Sequence, residues 1–399
     1  MNILKRKNVI VSTSSKLDAF RNDSIDKSYN SENNVPFLDS FLLSSRFLSW
    51  TLYRNKAQES RCHYLLSKRL IRRGIPDDLR SEAWSYLLGS YELLCRLPSR
   101  YTEYVKKAEY STTIDTLKQI EMDVTRTFPT HAFYQTSQGI GHLRNVLRAF
   151  SVHNPEINYC QGLNFLAGVF LLYMKEDIAF WSLVQMVSAS STKGLKISDY
   201  YTRHLFGLRR DIKTLRYLMK RHTSKALSVL NSQNIELDCI CAEWFLCSFS
   251  TVFPFPVFLR IWDILFREGK KIFFRISLAI FKIFEKKTFQ SLSFESIVTF
   301  FKTDLRNELT VSRKLLHIAF HGIGHLKRSA ISYFEHKASI ELVKELKSQG
   351  IYYIFDPITN SFQLSYEDKI TIPNCLYNDT TCFFKLNKDL KTSIKMLNT

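Results

Sequence analysis

Leu205-Phe206-Gly207-Leu208-Arg209-Arg210-Asp211-Ile212-Lys213-Thr214-Leu215-Arg216-Tyr217-Leu218 carries aliphatic residues at Leu205, Leu208, Ile212, Leu215 and Leu218. Spacings of three and four put these on one face of a helix, with Arg209, Arg210, Lys213 and Arg216 on the other, so the pattern predicts an amphipathic helix lying on a core. The same period recurs at Phe258, Ile261, Trp262 and Leu265, and again at Phe273, Ile276 and Ile280, with Gly269 between them as a helix stop. Alternation of the strand type shows only near Ile351 to Phe355 and Phe362 to Tyr366, around a turn-prone Asp356-Pro357 and Asn360, which predicts one terminal hairpin. No fixed-period repeat is visible. The expected fold class is all-α, a single large multi-helical body with irregular ends.

Composition supports a folded body. Of the 399 residues, 45% are apolar and 31 are Phe against 12 Gly and 9 Pro, enough apolar surface to form a sizeable core. Residues 1–36 are different: Asp23 to Asn34 is almost wholly polar, and such a segment cannot offset the entropy of ordering, so a disordered arm is expected there. A docking segment is expected at 37–65, beginning with the apolar patch Phe37 to Trp50, then the main domain at 66–336 and a C-terminal extension of unknown role at 337–399.

The formal charge of +19 is large enough to attract phosphates, anionic lipid surfaces or acidic protein faces, and implies weak electrostatic association with anionic membranes. No finger, knuckle or RNP signature accompanies it, so nucleic acid is not the expected partner. The apolar stretch Val9 to Val11 is too short for a signal peptide. The longest apolar run, Phe165 to Met174, falls well short of the roughly 20 residues of a spanning helix. Eight scattered cysteines without a CxxC pair read as reduced thiols that pack as small hydrophobes, in keeping with a cytoplasmic protein.

Three segments carry candidate chemistry. In Arg73-Gly74-Ile75-Pro76-Asp77-Asp78-Leu79-Arg80, followed by Trp84, Pro76 presets a helical φ, the two aspartates suit a first turn, and Leu79 and Trp84 suit a core; this is a helix entrance. In Ile120-Glu121-Met122-Asp123-Val124-Thr125-Arg126-Thr127-Phe128-Pro129, the apolar face is Ile114, Leu117, Ile120 and Val124, and Pro129 disfavours helix at Phe128. Arg126 therefore stands near a helix end, where it can project, or it forms with Asp123 a solvated pair worth about 0.2–0.5 kcal/mol. In Asn158-Tyr159-Cys160-Gln161-Gly162-Leu163-Asn164-Phe165, Asn158 is a candidate N-cap of an apolar helix running to Met174, which places Gln161 in the first turn, free for chemistry or bonded to a backbone group.

Together these segments resemble the TBC domain of Rab GTPase-activating proteins: the RxGIPxxLR motif at Arg73 to Arg80, the IxxDxxR motif at Ile120, Asp123 and Arg126, and the YxQ motif at Tyr159 and Gln161. The resemblance covers roughly Leu66 to Phe320, with core motifs at 73–280 that include Trp244-Phe245-Leu246 and Arg260-Ile261-Trp262-Asp263. The stretch from Tyr200-Tyr201 to Leu218 is similar to the growth-hormone-regulated TBC subgroup. It implies a GTPase activator that supplies residues in trans to a GTP-bound Rab-family GTPase in vesicle trafficking and is not a stand-alone hydrolase. Arg126 would place charge on the transferring phosphoryl, an effect worth about 10³ to 10⁵ in rate. Gln161 would orient the attacking water, its neutral amide both donating and accepting. Asp123 would orient Arg126, and Tyr159 would shape the Gln161 turn or meet the partner. No cofactor of its own is implied, since GTP and Mg²⁺ come with the GTPase, and the place of action would be peripheral at endomembranes. The competing expectation is a TBC-fold adaptor without catalysis, from which the presence of both Arg126 and Gln161 argues away. His317, His321 and His325 recur every fourth residue as metal ligands can, but Gly322 and Gly324 break the helix such a site needs, and no metal is expected.

Overall fold

The computed structural model describes residues 63–188, 195, 197–287, 293–356 and 361–364. The arm expected at 1–36, all but the last three residues of the docking segment at 37–65, residues 365–399, and Cys62, Cys375 and Cys382 lie outside the described residues. Helices follow one another through short turns: α1 (His63–Arg73), α2 (Arg80–Leu88), α3 (Ser90–Arg96), α4 (Arg100–Ser111), α5 (Ile114–Val124), α6 (Ser137–His153), α7 (Leu163–Leu171), α8 (Glu176–Val187), α9 (Phe206–His222), α10 (Ser224–Ser232), α11 (Leu237–Leu246), α12 (Phe255–Glu268), α13 (Lys271–Phe284), α14 (Phe294–Thr299), α15 (Leu305–Glu308), α16 (Ser312–His317) and α17 (Arg328–Ser348). The fold is all-α. Among the described residues one antiparallel ribbon, β1 (Tyr353–Asp356) with β2 (Ser361–Leu364), sits where alternation placed a hairpin, with Phe355 opposite Phe362.

Helices α7 and α8 are mostly apolar and buried around nearly their whole circumference, and so run through the interior. Helix α8 packs on α2, α3, α6 and α7, and α7 also meets α5 and α6. Around Phe170 of α7 the aromatic core closes, with Trp262 5.2 Å away and Trp84 6.3 Å away between ring centroids. Helix α12 ends at Gly269, whose N–H bonds Leu265 O at 2.8 Å, and α13 follows at once, as its period required.

The helix entrance and α12 interlock through one buried carboxylate. Asp263 Oδ1 accepts from Trp84 Nε1 at 3.0 Å and Arg80 Nε at 3.2 Å, while Oδ2 accepts from Ile75 N at 3.2 Å and Arg260 Nη1 at 3.1 Å. Arg260 also donates to Ile71 O and Arg72 O at the end of α1, where backbone carbonyls run short of helical donors. Pro76 has the expected φ of −58° but an extended ψ of 147°, so it precedes the first helical turn, Asp77–Leu79, instead of beginning it.

The structure corrects several local readings. The cationic side of α9 is half-buried beneath α17: Lys213 pairs with Glu345 at 2.6 Å, and Tyr217 stacks on Phe334 at 5.3 Å. Arg210 bonds Asp199 and the fully buried Asp211, which also faces Lys270 at 2.9 Å. Burial pushes the Asp211 carboxyl up, but Arg210 and Lys270 outweigh it and hold the group below the usual range. Leu205 precedes α9 in a left-handed conformation instead of opening it. Ile114 is exposed because it is the first residue of α5, beyond the reach of the core. Cys160, Cys241 and Cys247 are buried as expected, whereas Cys95 and Cys239 are exposed. Helix α17 runs unbroken through residue 336.

Candidate functional site

Helix α5 is capped by Thr113, whose hydroxyl accepts from Thr116 N at 3.3 Å, and buries Ile120 and Val124. It stops at Val124, as Pro129 foretold. The reversal is made by Phe128, which takes φ +45° and seats its ring against Phe165 at 5.5 Å and Phe255 at 5.3 Å. With Phe128 anchored inward, the preceding turn carries Arg126 outward, its side chain 49% exposed. The guanidinium pairs with Asp123, the one partner it has among the described residues. Asp123 is itself buried and accepts from Tyr159 Oη at 2.5 Å. Burial pushes the Asp123 carboxyl above the usual carboxylate range, and the Tyr159 hydroxyl and Arg126 charge only partly oppose it.

The Gln161 turn comes from the other side. Asn158 is not an N-cap; it adopts φ +55° and donates from Nδ2 to Thr116 Oγ1 at 2.8 Å, while α7 begins only at Leu163 after Gly162. Gln161 therefore lies in an irregular turn before the helix, not in its first turn. It is half-buried, and among the described residues its side-chain amide has no hydrogen-bond partner. Gly162, at φ +107°, lets this turn close on α11: a Cβ would stand 3.3 Å from Leu246 O in a conformation L residues rarely adopt. Tyr159 is buried, with its hydroxyl bonded to Asp123; burial and the nearby Asp123 push its phenol well above its ordinary value. Burial likewise pushes the Cys160 thiol up to about 12, so this cysteine packs and does not react.

Two further residues join these turns, and neither was singled out from sequence. Thr127 Oγ1 donates to Asp123 O at 2.7 Å and accepts from Asn164 Nδ2 at 2.8 Å, while Asn164 Oδ1 accepts from Gly162 N at 3.0 Å. Both side chains are fully buried. A signal for Asn164 existed, as the polar interruption of the apolar run from Leu163 to Leu171. The four expected site residues are thus brought together as two turns on α5 and α7, tied by Tyr159 to Asp123 and by Asn164 to Thr127. The arrangement offers a half-exposed cation on a braced turn and, on the neighbouring one, a half-buried neutral amide without a partner among the described residues, a combination able to meet an anion and a water.

The histidine series does not converge: the His317 and His321 rings lie 5.0 Å apart and tilted by 34° where α16 gives way to a wider turn, Ile318–Gly322. Among the described residues no group of three or more His, Cys, Asp or Glu side chains is placed to hold a metal ion. Among the same residues no helix is long and apolar enough to cross a membrane.

The sequence profile of the Rab-GTPase-TBC domain matches residues 77–289. Small G protein signaling modulator 3 of Homo sapiens is 32% identical over 268 residues, which is 66% of this chain but 35% of that protein. TBC1 domain family member 2B of Xenopus tropicalis is 35% identical over 257 residues, 27% of its length, so the chain spans about a third or less of these two relatives. Growth hormone-regulated TBC protein 1 of Xenopus laevis is 29% identical over 313 residues, covering 77% of this chain and 88% of that protein. The crystal structure of the Chlamydomonas flagellar RabGAP TBC domain superposes with a TM-score of 0.62 at 27% identity, over 72% of this chain and 94% of that one. The profile match spans more than half of the chain and contains both turns, and the solved RabGAP domain shares their scaffold: the chain belongs to the Rab-GTPase-TBC domain family.

Proposed function

We propose that this chain accelerates GTP hydrolysis by a GTP-bound Rab-family GTPase, with Arg126 and Gln161 entering the nucleotide site of the partner. The observation that carries this reading is the pair of adjoining turns, one presenting a half-exposed guanidinium paired with a buried carboxylate and the other a half-buried Gln amide that has no hydrogen-bond partner among the described residues. Arginine suits the first role because its planar fork stays charged and meets phosphate oxygens in pairs. A Gln amide can donate and accept at once, as orienting a water requires. The nucleotide and its Mg²⁺ belong to the GTPase, and the chain contributes no cofactor. Its setting is cytoplasmic, peripheral at endomembranes through the GTPase, with the +19 charge adding weak, salt-screened attraction to anionic lipid in vesicle trafficking.

The test is single-turnover GTP hydrolysis across a panel of purified Rab proteins. Arg126→Ala and Gln161→Ala should each lower the accelerated rate by about 10²-fold or more while leaving affinity for the GTPase within a few-fold. The double substitution should be little worse than the more damaging single one, because residues acting as a unit are not additive. Arg126→Lys should fail almost as badly as Ala, since an ammonium lacks the fork. A panel in which no Rab exceeds its intrinsic rate, with binding retained, would leave an adaptor.

A further inference from the structure

We infer that Thr127 and Asn164 are positioning residues that set Gln161 in register with Arg126; this rests on the proposed GTPase-activating role. Every polar atom of the link has one assignment consistent with the geometry. The Thr127 hydroxyl lies 2.7 Å from Asp123 O, a carbonyl that can only accept, so the hydroxyl donates there and must accept from its second neighbour. That neighbour, 2.8 Å away, is then the Asn164 NH₂, which turns Asn164 Oδ1 toward Gly162 N at 3.0 Å. The link therefore starts at the backbone of the Arg126 turn and ends on the peptide between Gln161 and Gly162. It is shielded from water throughout, with Asn164 at 0% and Thr127 at 1% exposure, so no solvent molecule can substitute for a lost member.

The surroundings leave this link little slack. A Cβ at Gly168 would stand 2.9 Å from Thr127 Cγ2, so α7 meets the Arg126 turn at backbone range, and Tyr134 Oη bonds Gly168 O at 2.5 Å behind it. On the far side, Gly162 closes against Leu246. The Gln161 peptide is thus held between α11 and the Asn164 amide, while the Tyr159 bond to Asp123 fixes the carboxylate that pairs with Arg126. Tyr159 acts on the side chain that aims Arg126; Asn164 and Thr127 act on the backbone that carries Gln161. A shift of about 1 Å at a reacting group costs on the order of 10²-fold in rate, so a link that fixes one turn against the other bears on turnover more than on docking.

Two measurements test this. Without any GTPase, amide exchange at Gly162 reports the hold directly: Thr127→Val, which keeps the shape and removes the hydroxyl, should speed exchange about 3- to 10-fold, the scale of one net hydrogen bond. With a responsive Rab, Thr127→Val should lower kcat about 10- to 100-fold and leave KM within about threefold. Thr127→Ser, which restores the hydroxyl, should recover most of the rate. Thr127→Ser and Thr127→Ala differ by one hydroxyl in the same space and supply the comparison if valine does not fold. In a Gln161→Ala background the Thr127→Val change should cost less than about threefold more, because its target is already gone. Unchanged Gly162 exchange, an effect confined to KM, or losses that multiply in the double variant would each overturn the inference. Arg126→Ala and Gln161→Ala run alongside separate the two ideas: if these keep full activity the proposed function fails, and if they fall while Thr127→Val does not, only the positioning role fails.

Discussion

Ionising Asp123 carries a cost. Its carboxyl lies above the ordinary range because burial outweighs the Tyr159 hydrogen bond and the Arg126 charge, so the folded chain binds a proton at pH values where the unfolded chain has released it. The stability this protonation contributes is present at low pH and is lost as pH rises through the raised value. The charged form is consequently a net burden on the fold. Asp123→Asn should therefore melt no lower than the wild type at pH 7, and its advantage should shrink as pH falls toward the ordinary carboxylate range; a melt clearly below the wild type at neutral pH would contradict this. Its kcat should fall about 10-fold or more, since a neutral amide cannot hold Arg126 by charge. In hydrolysis assays against pH, the ratio of wild-type to variant rate should decline on acidification as Asp123 in the wild type takes up its proton.

At the scale of elements, the joint between the helix entrance and α12 is a single carboxylate with four donors. Asp263 is fully buried, and Arg80 and Arg260 beside it are nearly so. Removing Asp263 takes one partner from each guanidinium, which keep Asp77 and the α1 carbonyls, and leaves the Trp84 N–H and the Ile75 N–H buried without their acceptor, so Asp263→Ala should cost about 3–5 kcal/mol in denaturant unfolding. Trp84 packs 5.7 Å from Trp262, so this joint and the aromatic core lie side by side and should fail together. Loss of less than about 1 kcal/mol would mean that packing alone holds α2 on α12. The helical period made α12 and α13 legible, because a buried stripe repeats every three to four residues wherever the core lies. The joint was not legible, as nothing local in Arg73 to Arg80 states that its partner is Asp263.

For the molecule as a whole, α17 decides how much of α9 meets water. Leu342 and Leu346 of α17 are buried with Phe206 in one cluster, and Tyr353 stacks on Phe206 at 4.5 Å. A chain ended at residue 336 would cut α17 midway and lose both leucines, and should be about 3–6 kcal/mol less stable than one ended at 364. Equal denaturation midpoints for the two would place the end of the folding unit before 336. The sequence by itself determined the helical class and the stop of α5 before Pro129, because periodicity and proline act over a few residues; the grouping of Asp123, Arg126, Tyr159 and Gln161 came from the resemblance to TBC domains. Only the tertiary structure decided that the cationic face of α9 is covered, that Asn158 braces Thr116 instead of capping α7, and that Thr127 and Asn164 join the two turns. These depend on which distant side chain arrives to satisfy a buried polar group, and hydrogen-bond partners across the fold leave no period in the chain.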